Sequence, residues 1–94
     1  MRAMGLDLGT KTIGVAVADE LGLTAQGVTT LARKGKRGDL STLLALARER
    51  AVDRFVLGLP LNMDGSEGPR AQATRAFGDA LATASQLPVL YQDE

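Results

Sequence analysis

With 94 residues the chain has material for one modest hydrophobic core and excludes two independent ones. Hydrophobic residues at 45% and charged residues at 23% describe an ordered globular protein and exclude a disordered tail. Eleven basic and eleven acidic residues cancel, so any nucleic-acid partner must be met by a local patch, while the lack of Cys and His excludes disulfides, thiolate nucleophiles, Cys-ligated zinc and a histidine base.

The start, Met1-Arg2-Ala3-Met4, leads into Gly and Asp with no apolar stretch long enough for a signal peptide or membrane span, so a cytoplasmic location is expected. Residues 3–9 and 12–19 are short apolar runs separated by Gly9-Thr10-Lys11, which predicts a hairpin. After a turn at Leu21-Gly22, residues 24–31 alternate Thr with apolar positions, as in a third, more exposed antiparallel strand. The run from Arg33 to Gly38 is expected to interrupt regular structure. Asp39 or Ser41 then caps a helix over residues 40–51, with Leu40, Leu43, Leu44 and Ala47 at helical spacing.

Residues 54–59 are continuously apolar up to Pro60, as expected of a central strand buried on both faces. Asn62 to Ser66 is turn chemistry, Pro69 opens a second helix with Phe77 and Leu81 inward, and Val89 to Gln92 forms a last strand. The order β-β-β-α-β-α-β with right-handed crossovers gives an α/β fold. Its mixed sheet holds strands one, four and five in parallel.

Asp7 is an acid within an otherwise apolar strand, and burial of an unpaired carboxylate is costly enough to require a reason. It serves either a ligand or the turn at Gly9-Thr10. Gly5, Gly9 and Gly14 around it weaken β-structure, which fits a ligand or another backbone approaching closely as well as a plain Gly-rich hairpin. Arg33, Lys34, Lys36 and Arg37, with Lys11, either contact phosphates or form a solvated face. One Tyr and two Phe offer little for stacking single strands, which favours duplex or junction backbone. Asn62, Asp64 and Ser66 are turn formers or parts of a substrate loop. The second helix's N-terminus, near Glu67 to Arg70, favours a phosphate that Glu67 would oppose.

The string from Gly5 to Asp19 (GLDLGTKTIGVAVAD) resembles the first motif of the YqgF/RuvX family, a bacterial branch of the RNase H-like superfamily. Gly58 to Ala71 (GLPLNMDGSEGPRA) is similar, nearly residue for residue, to that family's loop after its fourth strand. Gln92-Asp93-Glu94 resembles the start of a third motif. The resemblance implies an RNase H-like sheet in the order 3-2-1-4-5, one domain over residues 1–94, and continuation into a C-terminal helix with a further acid. A chain ending at Glu94 is then expected to leave core residues exposed, and to be poorly stable or to dimerise; the missing acid also bears on whether it cuts by itself.

The activity implied is phosphodiester hydrolysis of a precursor of small-subunit (16S) ribosomal RNA in ribosome biogenesis, or of four-way Holliday junctions. Cutting the two strands of a junction would call for a two-fold homodimer. Hard Mg²⁺ or Mn²⁺ ions take oxygen ligands, and a pair about 4 Å apart activates water and stabilises the leaving oxygen. In the order 3-2-1-4-5, the backbones at Asp7 and Glu94 lie about 10 Å apart, with Gly58 between them either leaving space for metal and phosphate or beginning the turn to Pro60. Alternation sends one of Asp93 and Glu94 to each face, and the resemblance favours Glu94 as the second ligand, a frayed polar end being the alternative. Two other readings share the topology: a non-catalytic nucleic-acid-binding module, and an actin-like or sugar-kinase-type ATPase, for whose two domains and cleft the chain is too short.

Overall fold

The computed structural model describes residues 1–18 and 25–93. The turn expected at Leu21-Gly22, the residue Thr24 and the candidate ligand Glu94 lie outside them. The elements are β1 (Ala3–Leu8), β2 (Thr12–Ala18), β3 (Ala25–Ala32), α1 (Lys36–Glu49), β4 (Arg54–Leu59), α2 (Pro69–Ser85) and β5 (Val89–Asp93). They form one sheet in the order β3-β2-β1-β4-β5. β1 pairs antiparallel with β2, and β2 with β3, whereas β1–β4 and β4–β5 are parallel. Element order, strand order and direction are those expected from the sequence.

Alternation along the strands sorts the two faces. Met4 and Leu6 of β1, Ile13, Val15 and Val17 of β2, and Phe55 and Leu57 of β4 form one buried cluster with Leu43 and Ala47 of α1 and Phe77 and Leu81 of α2. Both helices therefore cover the same face. Phe55 is the largest of the fully buried side chains in this cluster. β4 alternates buried and half-buried residues, correcting the expectation of burial on both faces: Val56 and Gly58 face the other side, where among the described residues no helix packs. Leu90, also on that side, is 49% exposed.

α1 begins at Lys36, earlier than the expected residue 40, and neither Asp39 nor Ser41 caps it. Gly35, with φ 88°, turns the chain into the helix. The Asp39 carboxylate, in the first turn, accepts the Lys34 N–H at 2.9 Å and Arg33 Nε at 2.7 Å. The expected break in regular structure is confined to residues 33–35, which the buried Asp39 ties to the helix, while Lys36, Arg37 and Gly38 already belong to α1. α2 has Pro69 at its first position, where the missing N–H costs nothing, and ends at Gln86 in the left-handed region. A Cβ at Gly78 would collide with the Tyr91 hydroxyl, so the bare position lets β5 dock its ring on α2. No described helix is long and apolar enough to cross a membrane.

Candidate functional site

The uncovered face of the sheet carries a single row of residues across all five strands. Thr30 of β3 is paired with Gly14 of β2, and Gly14 with Asp7 of β1. The parallel register of β1 and β4, in which Leu6 meets Leu57, continues to set Asp7 beside Gly58, and Gly58 is paired with Gln92 of β5. Asp7 therefore stands between two glycines, in the middle of the sheet. It is exposed. The carboxylate is not buried in this chain, so the cost of burial is not what singles it out. What does is its isolation: among the described residues no hydrogen bond or ion pair engages it.

Packing does not demand a glycine at position 14 or at position 5 on the same face. A Cβ at Gly14 would meet the Asp7 Cβ at 3.5 Å, and one at Gly5 would meet only carbonyl oxygens at 3.8 and 4.0 Å, all ordinary contacts. Bare positions here leave the floor around the carboxylate low, in a depression of about 440 Å³ that also reaches Val56, Gly58, Gln92 and Asp93. Such a floor admits a hydrated hard cation or a phosphate. Oxygen-bearing side chains of the residues lining this depression include Asp7 and, at its margins, Thr30, Gln92 and Asp93; no three acidic side chains cluster among the described residues. Asp93 pairs with the buried Leu59, so it has the parity of the covered face, and its side chain is exposed at the strand end. Gly58 lies between Asp7 and β5, as expected.

Beyond Asp7, β1 is braced by two arginines. Arg33 Nη1 donates to the Gly9 carbonyl at 2.7 Å, and Arg70 Nη2 to the Leu8 carbonyl at 3.3 Å. The Arg33 guanidinium also lies 5.8 Å from the centre of the Phe77 ring. Arg33, expected with its basic neighbours either to meet phosphates or to form a solvated face, is bonded to Asp39 and to the Gly9 carbonyl and lies over Phe77. Lys11, Lys34, Lys36 and Arg37 are exposed. The Arg33 N–H donates to the Lys11 carbonyl at 2.9 Å, which sets the hairpin turn against the start of the basic segment and makes one cationic edge of the four.

The loop residues Asn62, Asp64 and Ser66 bond to one another. Asp64 Oδ1 accepts the Ser66 N–H at 2.9 Å and its hydroxyl at 2.6 Å, and Asn62 Nδ2 donates to Ser66 Oγ at 3.0 Å. The Ser66 hydroxyl, and then its amide, hold the Asp64 carboxyl below its ordinary value. Glu67, expected to oppose an anion at the start of α2, is engaged by both Nε and Nη2 of Arg75 at 2.7 Å, which lowers its carboxyl likewise. Thr30 was not singled out in the sequence, and Gln92 and Arg70 were named only within a motif and a helix start, without a place beside β1. The first two share the parity of Asp7 and could have been found once the register was known; nothing in the sequence marks the reach of Arg70.

The model of the RuvX family, described as Holliday junction resolvase, matches residues 1–94. A Myxococcus xanthus protein named "Putative pre-16S rRNA nuclease" is 62% identical over 94 residues, covering 100% of this chain and 62% of its own length. A protein of the same name from Rhodopseudomonas palustris is 60% identical over 91 residues, covering 97% of this chain and 57% of its own. The chain thus spans about six-tenths of these relatives. Among solved structures, Thermus thermophilus RuvC in complex with a Holliday junction substrate superposes with TM-score 0.73 at 13% identity, over 99% of this chain and 65% of that one. A ROK hexokinase from the same organism gives 0.64 at 24%, over 99% and 34%. Likeness at these identities shows the fold, which is RNase H-like and shared with sugar kinases.

Proposed function

The chain belongs to the RuvX family, and from that membership we propose that it carries the Asp7 side of a metal-dependent nuclease site for structured nucleic acid. One observation carries this reading: an unpaired carboxylate stands between two glycines in the centre of an uncovered sheet face. Asp7, with Glu94 as the family resemblance implies, would hold Mg²⁺ or Mn²⁺. When bound, such ions supply an activated water and stabilise the leaving oxygen.

The remaining residues have simpler tasks. Gly14 and Gly58 leave room for the phosphate beside the carboxylate. Lys11, Lys34, Lys36 and Arg37 attract and orient the backbone, an electrostatic contribution that salt screens. With a net charge of zero, binding depends on this edge rather than on the field of the whole chain.

The relatives' name supports precursor 16S ribosomal RNA as the first substrate, in cytoplasmic ribosome biogenesis, and the family description supports four-way junctions as the second. Junction cutting would call for a two-fold homodimer. The deciding experiment incubates the full chain with Mn²⁺ and either a labelled precursor RNA or a four-way junction, beside Asp7→Asn. Metal-dependent cleavage lost in the variant supports the nuclease. Binding that neither needs metal nor changes in Asp7→Asn, with no cleavage, would leave a non-catalytic binding module.

A further inference from the structure

Two guanidiniums from distant parts of the chain meet the exit of β1. Arg33, which follows β3, donates from Nη1 to the Gly9 carbonyl at 2.7 Å, and Arg70, in the first turn of α2, donates from Nη2 to the Leu8 carbonyl at 3.3 Å. Both line a small depression of about 140 Å³ together with Thr10 and Phe77, and no acidic residue lines it. It is distinct from the depression that holds Asp7.

The two arginines are not equally occupied. Arg33 is held in place, since Asp39 accepts its Nε and its guanidinium lies over Phe77, but its Nη2 has no acceptor among the described residues. Arg70 has no carboxylate partner among them. Its hydrogen bond to the neutral Leu8 carbonyl is longer than the ordinary range for N–H···O. The first turn of α2 carries no acid, and Glu67 just ahead of it is engaged by Arg75. The depression thus carries a positive charge that no described carboxylate balances, beside the Thr10 hydroxyl. Planar guanidinium forks match the oxygens of a phosphate.

Leu8 follows Asp7 in β1 with the opposite parity. The carboxylate faces the uncovered side of the sheet and the depression the side of α2, at the end of the same strand. We propose that this depression seats a backbone phosphate of the substrate on Arg70, Arg33 and Thr10, so that a strand crossing the end of β1 presents a neighbouring phosphate to Asp7. This rests on the nucleic-acid reading above. The exposed lysines attract the backbone; this seat, with Arg33 already fixed by the fold, sets its register.

The test uses the full chain labelled with ¹⁵N. Inorganic phosphate should shift the Gly9 and Thr10 amide resonances saturably, where chloride at the same ionic strength does not. Arg70→Gln should abolish those shifts with an unchanged thermal midpoint. With Ca²⁺ in place of Mn²⁺, it should also bind a four-way DNA junction or a precursor RNA about tenfold more weakly and with a log–log salt slope smaller by about one. Which probe responds identifies DNA or RNA as the source of the phosphate. Arg70→Lys, which keeps the charge without the fork, should recover the slope but not the full affinity. If wild type binds a probe while Arg70→Gln keeps the same affinity and slope, the seat is overturned and the nuclease reading stands, even where free phosphate moves Gly9 and Thr10. Affinity lost only together with thermal midpoint would make Arg70 a brace of β1 and overturn the seat likewise. If wild type binds no probe, both fall.

Discussion

Arg33 donates from Nε to the Asp39 carboxylate and from Nη1 to the Gly9 carbonyl, both at 2.7 Å, so one guanidinium joins the exit of β1 to the first turn of α1. Asp39 is 3% exposed. Arg33 keeps 27% of its side chain exposed, so removing Asp39 leaves a guanidinium that water still reaches but takes the acceptor from the Lys34 N–H as well. Asp39→Ala is expected to lower unfolding free energy by about 2 kcal/mol. Arg33→Lys should be poorly tolerated too, because an ammonium cannot reach both acceptors as the planar fork does. Urea denaturation of the variants checks this; a change below about 1 kcal/mol for Asp39→Ala would show that the pair is not structural.

The exposed cationic edge should behave differently. Lys36→Ala and Arg37→Ala remove charge from the start of α1 without touching the core. Each is expected to leave stability within about 0.5 kcal/mol and to reduce the salt dependence of nucleic-acid binding by about one unit of log–log slope. Affinity measured across a series of salt concentrations decides. An unchanged slope would mean that the edge is only a solvated face.

Gly14 separates what the fold needs from what the site needs. A side chain there meets Asp7 Cβ at 3.5 Å, a tolerable contact, and β-branched residues suit strands better than glycine. Gly14→Val is therefore expected to melt no lower than wild type, and to be more stable by up to about 1 kcal/mol. It should nonetheless depress Mn²⁺-dependent cleavage at least tenfold, by raising the floor beside the carboxylate. Retained cleavage would show that the low floor is incidental.

The fold was legible wherever period and punctuation agreed. The alternation of residues 12–18, the Gly9-Thr10-Lys11 turn and Pro69 placed strands and helices to within a few residues, and strand order followed from the crossovers and the resemblance. What failed had a common cause: sequence reading assigned charged residues by type before their partners were known. The sequence offers Asp39 or Ser41 as a cap and Arg33 as a phosphate contact or part of a solvated face, whereas in the fold the Asp39 carboxylate accepts from Arg33. Asp7 was singled out for an expected cost of burial, whereas it is exposed and isolated. Of the site, Asp7 and Gly58 were legible from motif and spacing. Thr30 and Gln92 needed the register, and Arg70 the three-dimensional reach of its side chain.

Asp64 gives the loop a defined dependence on pH. The Ser66 hydroxyl and amide favour the ionised carboxylate, so its folded pKa lies below the ordinary 3.8. A depressed carboxyl contributes its stabilisation above the unfolded value and loses it as pH falls through the folded one. The turn of Asn62 to Ser66 is therefore closed throughout the neutral range and should open only in acid. Followed by the Ser66 amide resonance, the titration is expected to have its midpoint below 3.8 and to move up towards that value in Ser66→Ala. A midpoint at or above 3.8 in wild type would show that these bonds do not persist in solution.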